Sequence, residues 1–320
     1  MALLEGKTTI LVVTQLGEQI TLQYPPLFHL LSLCFFLAFP TVDPYLIMKL
    51  IVSALDSLQI FPIYYTVRYV SKSPTGATIA ALLVMMAPSD FHMISWGGYA
   101  NVAALLLMAI LVYVVLKEKP LQVGLISTAL FLTHHLSMLF AIAVLFPYFL
   151  LAWWQTGKVP RCLPWFLGSM ALAYGLFYRD ALIPLFDLYT KYAPRYAEFI
   201  LPETWPQMLG PLVLVLATAG LVLQASKTRM QSVNPDQLLA IWLVWPILLG
   251  YAYVFGVQWH SIRWIYFLLQ PACVWSGIAV AHLRERKLVL IIVLFCLVLQ
   301  WIGTMQGYYS DVAYNSGYNY

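Results

Sequence analysis

Residues 98–116 read GYANVAALLLMAILVYVVL, and the first charged side chains after them are Lys117, Glu118 and Lys119. A helix of this length rises about 28 Å, close to the ~30 Å hydrocarbon thickness of a bilayer. Similar apolar runs recur near 45–69, 75–91, 121–134, 137–154, 162–178, 208–225, 238–256, 264–282 and 288–306. A chain in lipid satisfies its backbone hydrogen bonds within helices, so these runs predict an all-α, polytopic transmembrane bundle of about ten spans.

Composition agrees. Of 320 residues, 62% are hydrophobic and 9% charged, where a soluble domain carries about a quarter charged residues; mean hydropathy is +0.81. The formal charge of +4 lies in short runs between spans rather than on one face, which is not the footprint of a nucleic-acid-binding surface. Cys34, Cys162, Cys273 and Cys296 show neither CxxC nor Cys/His ligand spacing, so they read as packing residues within the membrane. No GxGxxG, Walker A, HExxH or GxSxG motif is present, which argues against nucleotide binding and the common hydrolase chemistries.

Alternate connections carry the basic residues: Arg68 and Lys72, Lys117 and Lys119, Lys158 and Arg161, Lys227 and Arg229, then Arg284, Arg286 and Lys287. The positive-inside rule makes these cytoplasmic. The opposite face then receives 89–99, 133–137, the long 179–207 loop, 255–263 and a Tyr-rich tail, 307–320. It also collects most of the acids and five of the six histidines, and polar groups gathered at one side of an apolar bundle are where chemistry is expected.

The start divides from the bundle. Residues 1–43 read as an external segment and 44–306 as the transmembrane domain. The apolar run Pro26–Phe39 is short for a crossing and is bounded by Pro25-Pro26 and Pro40, which predicts a helix in the outer interface; the alternative is a short eleventh span that leaves Met1 inside. With ten spans and an external tail, parity places Met1 outside, and an upstream first span is expected to be missing. Within 179–207, Phe186, Tyr189, Tyr192, Tyr196, Phe199 and Trp205 interleave with charged residues, as in a surface amphipathic helix or a solvated connection with aromatic anchors.

Tyr24-Pro25-Pro26-Leu27-Phe28-His29, opening that interfacial helix, resembles the first external loop of the GT-C glycosyltransferases, polytopic enzymes that use polyprenyl-phosphate sugars. Asp43-Pro44 and Lys49, before a span that ends at Arg68, are similar to the next GT-C segment. Pro88–His92 followed by Ser95-Trp96-Gly97-Gly98-Tyr99-Ala100-Asn101 resembles the second external loop of archaeal and bacterial, oligosaccharyltransferase-like members. There Asp90-Phe91-His92 is similar to a relaxed DxD motif. Thr133-His134-His135-Leu136 and Arg263-Trp264-Ile265-Tyr266 are similar to stretches whose His and Arg line the lipid-phosphate site in relatives. The resemblance implies a GT-C-like bundle acting at the outer face of a prokaryotic plasma membrane. One departure stands out: relatives carry a catalytic acid just after their first span, and this chain starts beyond that point. It is therefore expected to be a fragment lacking its base, or a divergent or inactive relative.

Sugar transfer from a polyprenyl phosphate needs a carboxylate to activate the acceptor and positive or donor groups to hold the leaving phosphate. Asp90 and Asp43 are the candidate carboxylates, with helix capping as the ordinary alternative. Asp90 and His92 are the possible ligands of a divalent metal. The phosphate candidates are Lys49, His92, His134, His260 and Arg263, with Trp96 beside them; Arg263 suits two-pronged phosphate contact, though an interfacial anchor is its plain alternative. Lys49 sits about one turn inside a span, with Asp56 at i+7 as its expected partner. The predicted partners are membrane lipids, a lipid-linked sugar donor and an acceptor glycan, lipid or protein, with no nucleic acid. The competing functions are a secondary transporter or flippase of a lipid-linked or small polar substrate, and an inactive membrane scaffold.

Overall fold

The computed structural model describes residues 10–15, 18–23, 25–95, 98–181, 183, 200, 204–226, 234–255, 263–283 and 285–315, with backbone alone at 10–23, 90–91, 95 and 308–315. Trp96, His260, Lys227, Arg229, Arg284, most of the 179–207 loop and the end of the tail lie outside the described residues. A two-stranded antiparallel hairpin, β1 (Ile10–Gln15) and β2 (Glu18–Gln23), precedes the helices. The helices are α1 (Leu27–Ala38), α2 (Pro44–Leu58), α3 (Ile60–Ser71), α4 (Pro74–Met85), α5 (Pro88–Ser95), α6 (Tyr99–Leu116) and α7 (Pro120–Phe131). They continue with α8 (His135–Thr156), α9 (Cys162–Ala173, running into a π-turn at Tyr174–Tyr178), α10 (Thr204–Leu209), α11 (Pro211–Ala225), α12 (Pro235–Gly250), α13 (Arg263–Leu283) and α14 (Lys287–Asn315).

Proline sets many of these boundaries. It stands first in α2, α4, α5, α7, α11 and α12, where its missing N–H is one the helix would not have used. Side-chain caps add to this at Asp43, Ser73 and Asn234, the last in a full capping box. Proline also divides two runs that the sequence reads as single spans. Pro88 ends the 75–91 run at Met85 and starts α5, because the residue before proline is driven out of the α region. Pro62 breaks 45–69 at Gln59, which forms a turn between α2 and α3.

Five helical stretches are long and apolar enough to cross a membrane, consistent with an integral membrane protein: Pro44–Ser71, Tyr99–Leu116, His135–Thr156, Arg263–Leu283 and Lys287–Gly307. Five further apolar helices, α1, α4, α7, α11 and α12, are shorter. At one end of the bundle, the Nζ atoms of Lys72 and Lys117 lie 4.6 and 4.2 Å from the centre of the Tyr69 ring, so two of the basic connections meet there. At the other end, Leu27 N–H donates to the Leu132 carbonyl at 2.8 Å, and α2 packs against α6. Both ends of α1 are thus tied to the same end of the bundle, the first through α7 and the second through α2. Cys162 and Cys273 are buried, as the packing reading expects, whereas Cys34 lies on the exposed face of α1.

α13 is the axis of the fold: every residue from Trp264 to Val280 is buried. Glycines let its neighbours approach. A Cβ on Gly76 of α4 would strike the Gly277 carbonyl, and one on Gly220 of α11 would strike the Trp275 carbonyl. Small residues at crossings are how helices associate in lipid, where apolar side chains gain nothing from leaving the solvent. Gly220→Ala is expected to destabilise the bundle by about 1–3 kcal/mol through overpacking, read as a lower melting temperature in detergent. Gly168→Ala, where a Cβ meets nothing within 4 Å, should not lower it; equal losses in both variants would contradict this packing.

Candidate functional site

The end of the bundle opposite the Lys72 and Lys117 connections gathers the starts of four helices: α2, α6, α8 and α13. His134 caps α8 in an extended conformation (φ −155°, ψ 123°), its side chain accepting from the Ser137 N–H at 3.3 Å. Since Nδ1 is the acceptor, the ring proton of the neutral form sits on Nε2. Ser137 Oγ lies 2.8 Å from the same Nδ1 and 3.4 Å from Asn101 Oδ1. Asn101, in the first turn of α6, donates in turn to Met93 Sδ of α5 at 3.1 Å. The His134 and His135 rings stand 5.0 Å apart, both buried.

Arg263 opens α13 and is part-buried. Burial foremost, then the adjacent His135 and the Arg263 guanidinium, push the pKa of His134 well below its ordinary value. One turn along, the Tyr266 hydroxyl is 2.6 Å from His92 Nδ1, with the two rings stacked at 6.1 Å and 20°. The structure therefore brings together three of the expected site residues, His92, His134 and Arg263. It adds Asn101, Ser137 and Tyr266, to which the sequence reading gave no role, although Asn101 and Tyr266 stand in the stretches that resemble the GT-C enzymes. Asn101 and Ser137 carry one weak signal, a polar side chain in the first turn of an apolar helix; Tyr266 reads as an ordinary core aromatic.

Asp43 and Lys49 are placed differently. Asp43 is exposed and caps α2, accepting from Tyr45 N–H at 2.9 Å, the ordinary role of such an acid. The Lys49 ammonium stands 4.4 Å from the centre of the Tyr45 ring. Its expected pairing with Asp56 is replaced, because the Asp56 carboxylate accepts from Gln59 Nε2 at 2.7 Å instead. Asp90 lies on α5, two residues before His92, but its side chain is outside the described residues. Among the described residues no three His, Cys, Asp or Glu side chains gather at one point, so they do not by themselves compose a divalent-metal site.

Beside this corner lies a cavity of about 930 Å³ between α11 and α14, roofed by α5 and α10. Leu212, Leu216, Ile292 and Leu299 line it with apolar surface, and His92, Gln207, Gln300 and Thr304 supply its polar groups. Both amide atoms of Gln300 are buried without a hydrogen-bond partner among the described residues. Gly210, at φ +86°, leaves the space that the Gln300 amide occupies.

Chemically, the corner suits an anion. The first-turn N–H groups and positive dipole ends of α6, α8 and α13 meet there, together with a guanidinium and neutral imidazoles that can donate. No protein-family model and no curated protein matches the chain.

The depressed pKa of His134 makes stability fall with acidification. Unfolded histidine takes up a proton near pH 6.5 while folded His134 stays neutral, so below about that pH the unfolded state binds more protons and gains on the native state. His134→Asn keeps a capping group but cannot titrate. The loss of melting temperature between about pH 7 and pH 5 should be smaller in that variant than in the wild type; an unchanged slope would remove His134 as a contributor.

Proposed function

We propose that the chain is a membrane glycosyltransferase of GT-C type, moving a sugar from a polyprenyl-phosphate donor to an acceptor at the extracytoplasmic face. The observation that carries this reading is the sharing of His92 between two environments. It lines the apolar cavity and is bonded to Tyr266, one turn from Arg263. A lipid phosphate needs this pairing of an apolar berth for the chain with a cationic, donor-rich corner for the head. In the transfer step, Arg263 and the His134 Nε2–H stabilise charge as it develops on the leaving phosphate. A carboxylate takes the acceptor proton, with Asp90 the candidate because Asp43 is engaged as a cap.

The reading also assigns the topology. The ten helices or helix pairs cross as spans, the Lys72, Lys117 and Arg286 connections face the cytoplasm, and α1 lies along the outer interface. Its exposed Leu30, Leu31, Phe35 and Leu37 face lipid, while Phe28 and Ser32 pack inward. In a cysteine-free background, a cysteine at Glu118 should react with an impermeant maleimide only after cells are opened, and one at Tyr308 in intact cells. The reverse pattern would invert the site.

A secondary transporter is the competing reading, and one feature favours it: the break at Gln59 within an apolar helical stretch, next to Asp56, is a form that transporters use at their substrate and ion sites. Lipid-phosphate binding separates the two. Arg263→Lys keeps the charge but loses the planar fork, and a charge-assisted hydrogen bond is worth about 1.5–3 kcal/mol. The variant should therefore bind a polyprenyl-phosphate sugar at least about tenfold more weakly and transfer sugar correspondingly less. Unchanged binding of that lipid, with substrate flux across vesicles that depends on Asp56, would replace the transferase by the transporter.

A further inference from the structure

Asp56 sits within the apolar stretch Pro44–Ser71, seven residues after Lys49 and twelve before Arg68. Among the described residues the one ion pair is Arg179–Asp180, on the surface, so Asp56 has no cationic side chain against it there. What it has is a chain of amides. Gln59 Nε2 donates to Asp56 Oδ1 at 2.7 Å, and Gln270 Nε2 donates to Gln59 Oε1 at 2.5 Å and to the Leu105 carbonyl at 2.9 Å. The direction of this chain is fixed at its far end. A backbone carbonyl can only accept, so Gln270 must turn its NH₂ toward Leu105. Its other hydrogen then meets Gln59 Oε1, which aims the Gln59 NH₂ at Asp56 and makes that carboxylate oxygen an acceptor.

The same orientation strands Gln270 Oε1, which is buried, in a residue only 1% exposed, and has no hydrogen-bond partner among the described residues. The backbone adds further oxygen. Gln59 N–H turns back to Asp56 O at 3.0 Å and so leaves the Leu55 carbonyl without its helical donor. Pro62 has no N–H to offer the Leu58 carbonyl. The negative dipole end of α2 also falls at this point.

We propose that the break at Gln59 is a binding site for a small alkali cation of the Na⁺ class, held by Asp56, Gln270 Oε1 and the carbonyls that the break uncovers. Each ligand is a hard oxygen, the carboxylate supplies one compensating charge, and a carboxylate in an apolar interior is unfavourable unless paired. Broken helices with carboxylates and uncovered carbonyls coordinate Na⁺ by this chemistry in membrane proteins. The site shares no residue with the anion corner, and it rests on the same break at Gln59 that favours the transporter reading.

The test is thermal unfolding of the full chain in nanodiscs, with NaCl exchanged for choline chloride at constant ionic strength and pH. A ligand of the native state raises the melting temperature saturably, so Na⁺ should do so in the wild type. The shift should vanish in Asp56→Asn and move to higher Na⁺ concentrations in Gln270→Leu, which keeps the carboxylate. Should Asp56→Asn fail to fold, competition of Li⁺ and K⁺ against ²²Na⁺ binding to the wild type provides the same reading. Equal melting in Na⁺ and choline, a Na⁺ shift that survives Asp56→Asn, or stabilisation by acid alone would each overturn the proposal.

Discussion

The close approach of α4 and α11 to α13 is the contact on which the rest of the structure depends. Gly76 and Gly277 face each other across one crossing, and Gly220 lies against the Trp275 carbonyl at the other. Ser276 Oγ and Trp275 Nε1 add hydrogen bonds to the Val213 and Leu239 carbonyls. In lipid such contacts decide association, because exchanging lipid for protein around an apolar side chain is nearly neutral. Once α13 is fixed, its polar residues are fixed with it. Arg263 and Tyr266 face the anion corner and Gln270 faces the Asp56 chain, within about 10 Å of rise along one helix. At its far end His282 Nε2 is 2.9 Å from Gln224 Oε1, which shares its amide with the Asp236 carboxylate.

The distribution of charge follows from the same medium. Lys72 and Lys117 stay at helix ends, with their ammonium groups over the Tyr69 ring. At the opposite end the arrangement differs: His134 and His135 are buried, and the starts of several helices converge. A corner built from helix N-termini is positive before any side chain is counted. Arg263 adds a guanidinium to that end, which is the physical reason the corner suits an anion.

Much of the helical organisation was legible in the chain. Apolar runs located the helices, and the alternation of basic connections agrees with the meeting of Lys72 and Lys117 at one end. The misplaced boundaries have a common cause, since hydropathy cannot see the backbone effect of Pro62 or Pro88, and both divide runs that remain apolar throughout. Within the candidate site, the gathering of His92, His134 and Arg263 was foreshadowed because charged or ionisable groups at helix ends are rare in such a chain. Asn101, Ser137 and Tyr266 were not, because each gains its role from a partner on another helix. Lys49 was misread for a related reason: spacing on α2 allows Asp56 as its partner, but the nearer Tyr45 ring and the Gln59 amide satisfy the two separately.

The cavity beside α14 follows from the same indifference of lipid to apolar surface. α14 is largely apolar over Lys287–Gly307, with Ile291, Phe295, Val298 and Trp301 exposed, so hydrophobic burial does not commit it to one partner. It meets the end of α4 through Thr304 Oγ1, which donates to the Met86 carbonyl at 3.2 Å. In water a gap of this size between two apolar helices would close, since interiors pack to crystal-like density. In a bilayer a hydrocarbon chain can fill it with little change in free energy, and α14 can stand away from α11. The polar groups then become the informative part. Gln300, with neither amide atom bonded among the described residues, and His92 mark where the lining of this cavity changes from hydrocarbon to polar, and the Arg263 corner begins one helical turn beyond the Tyr266 that His92 holds.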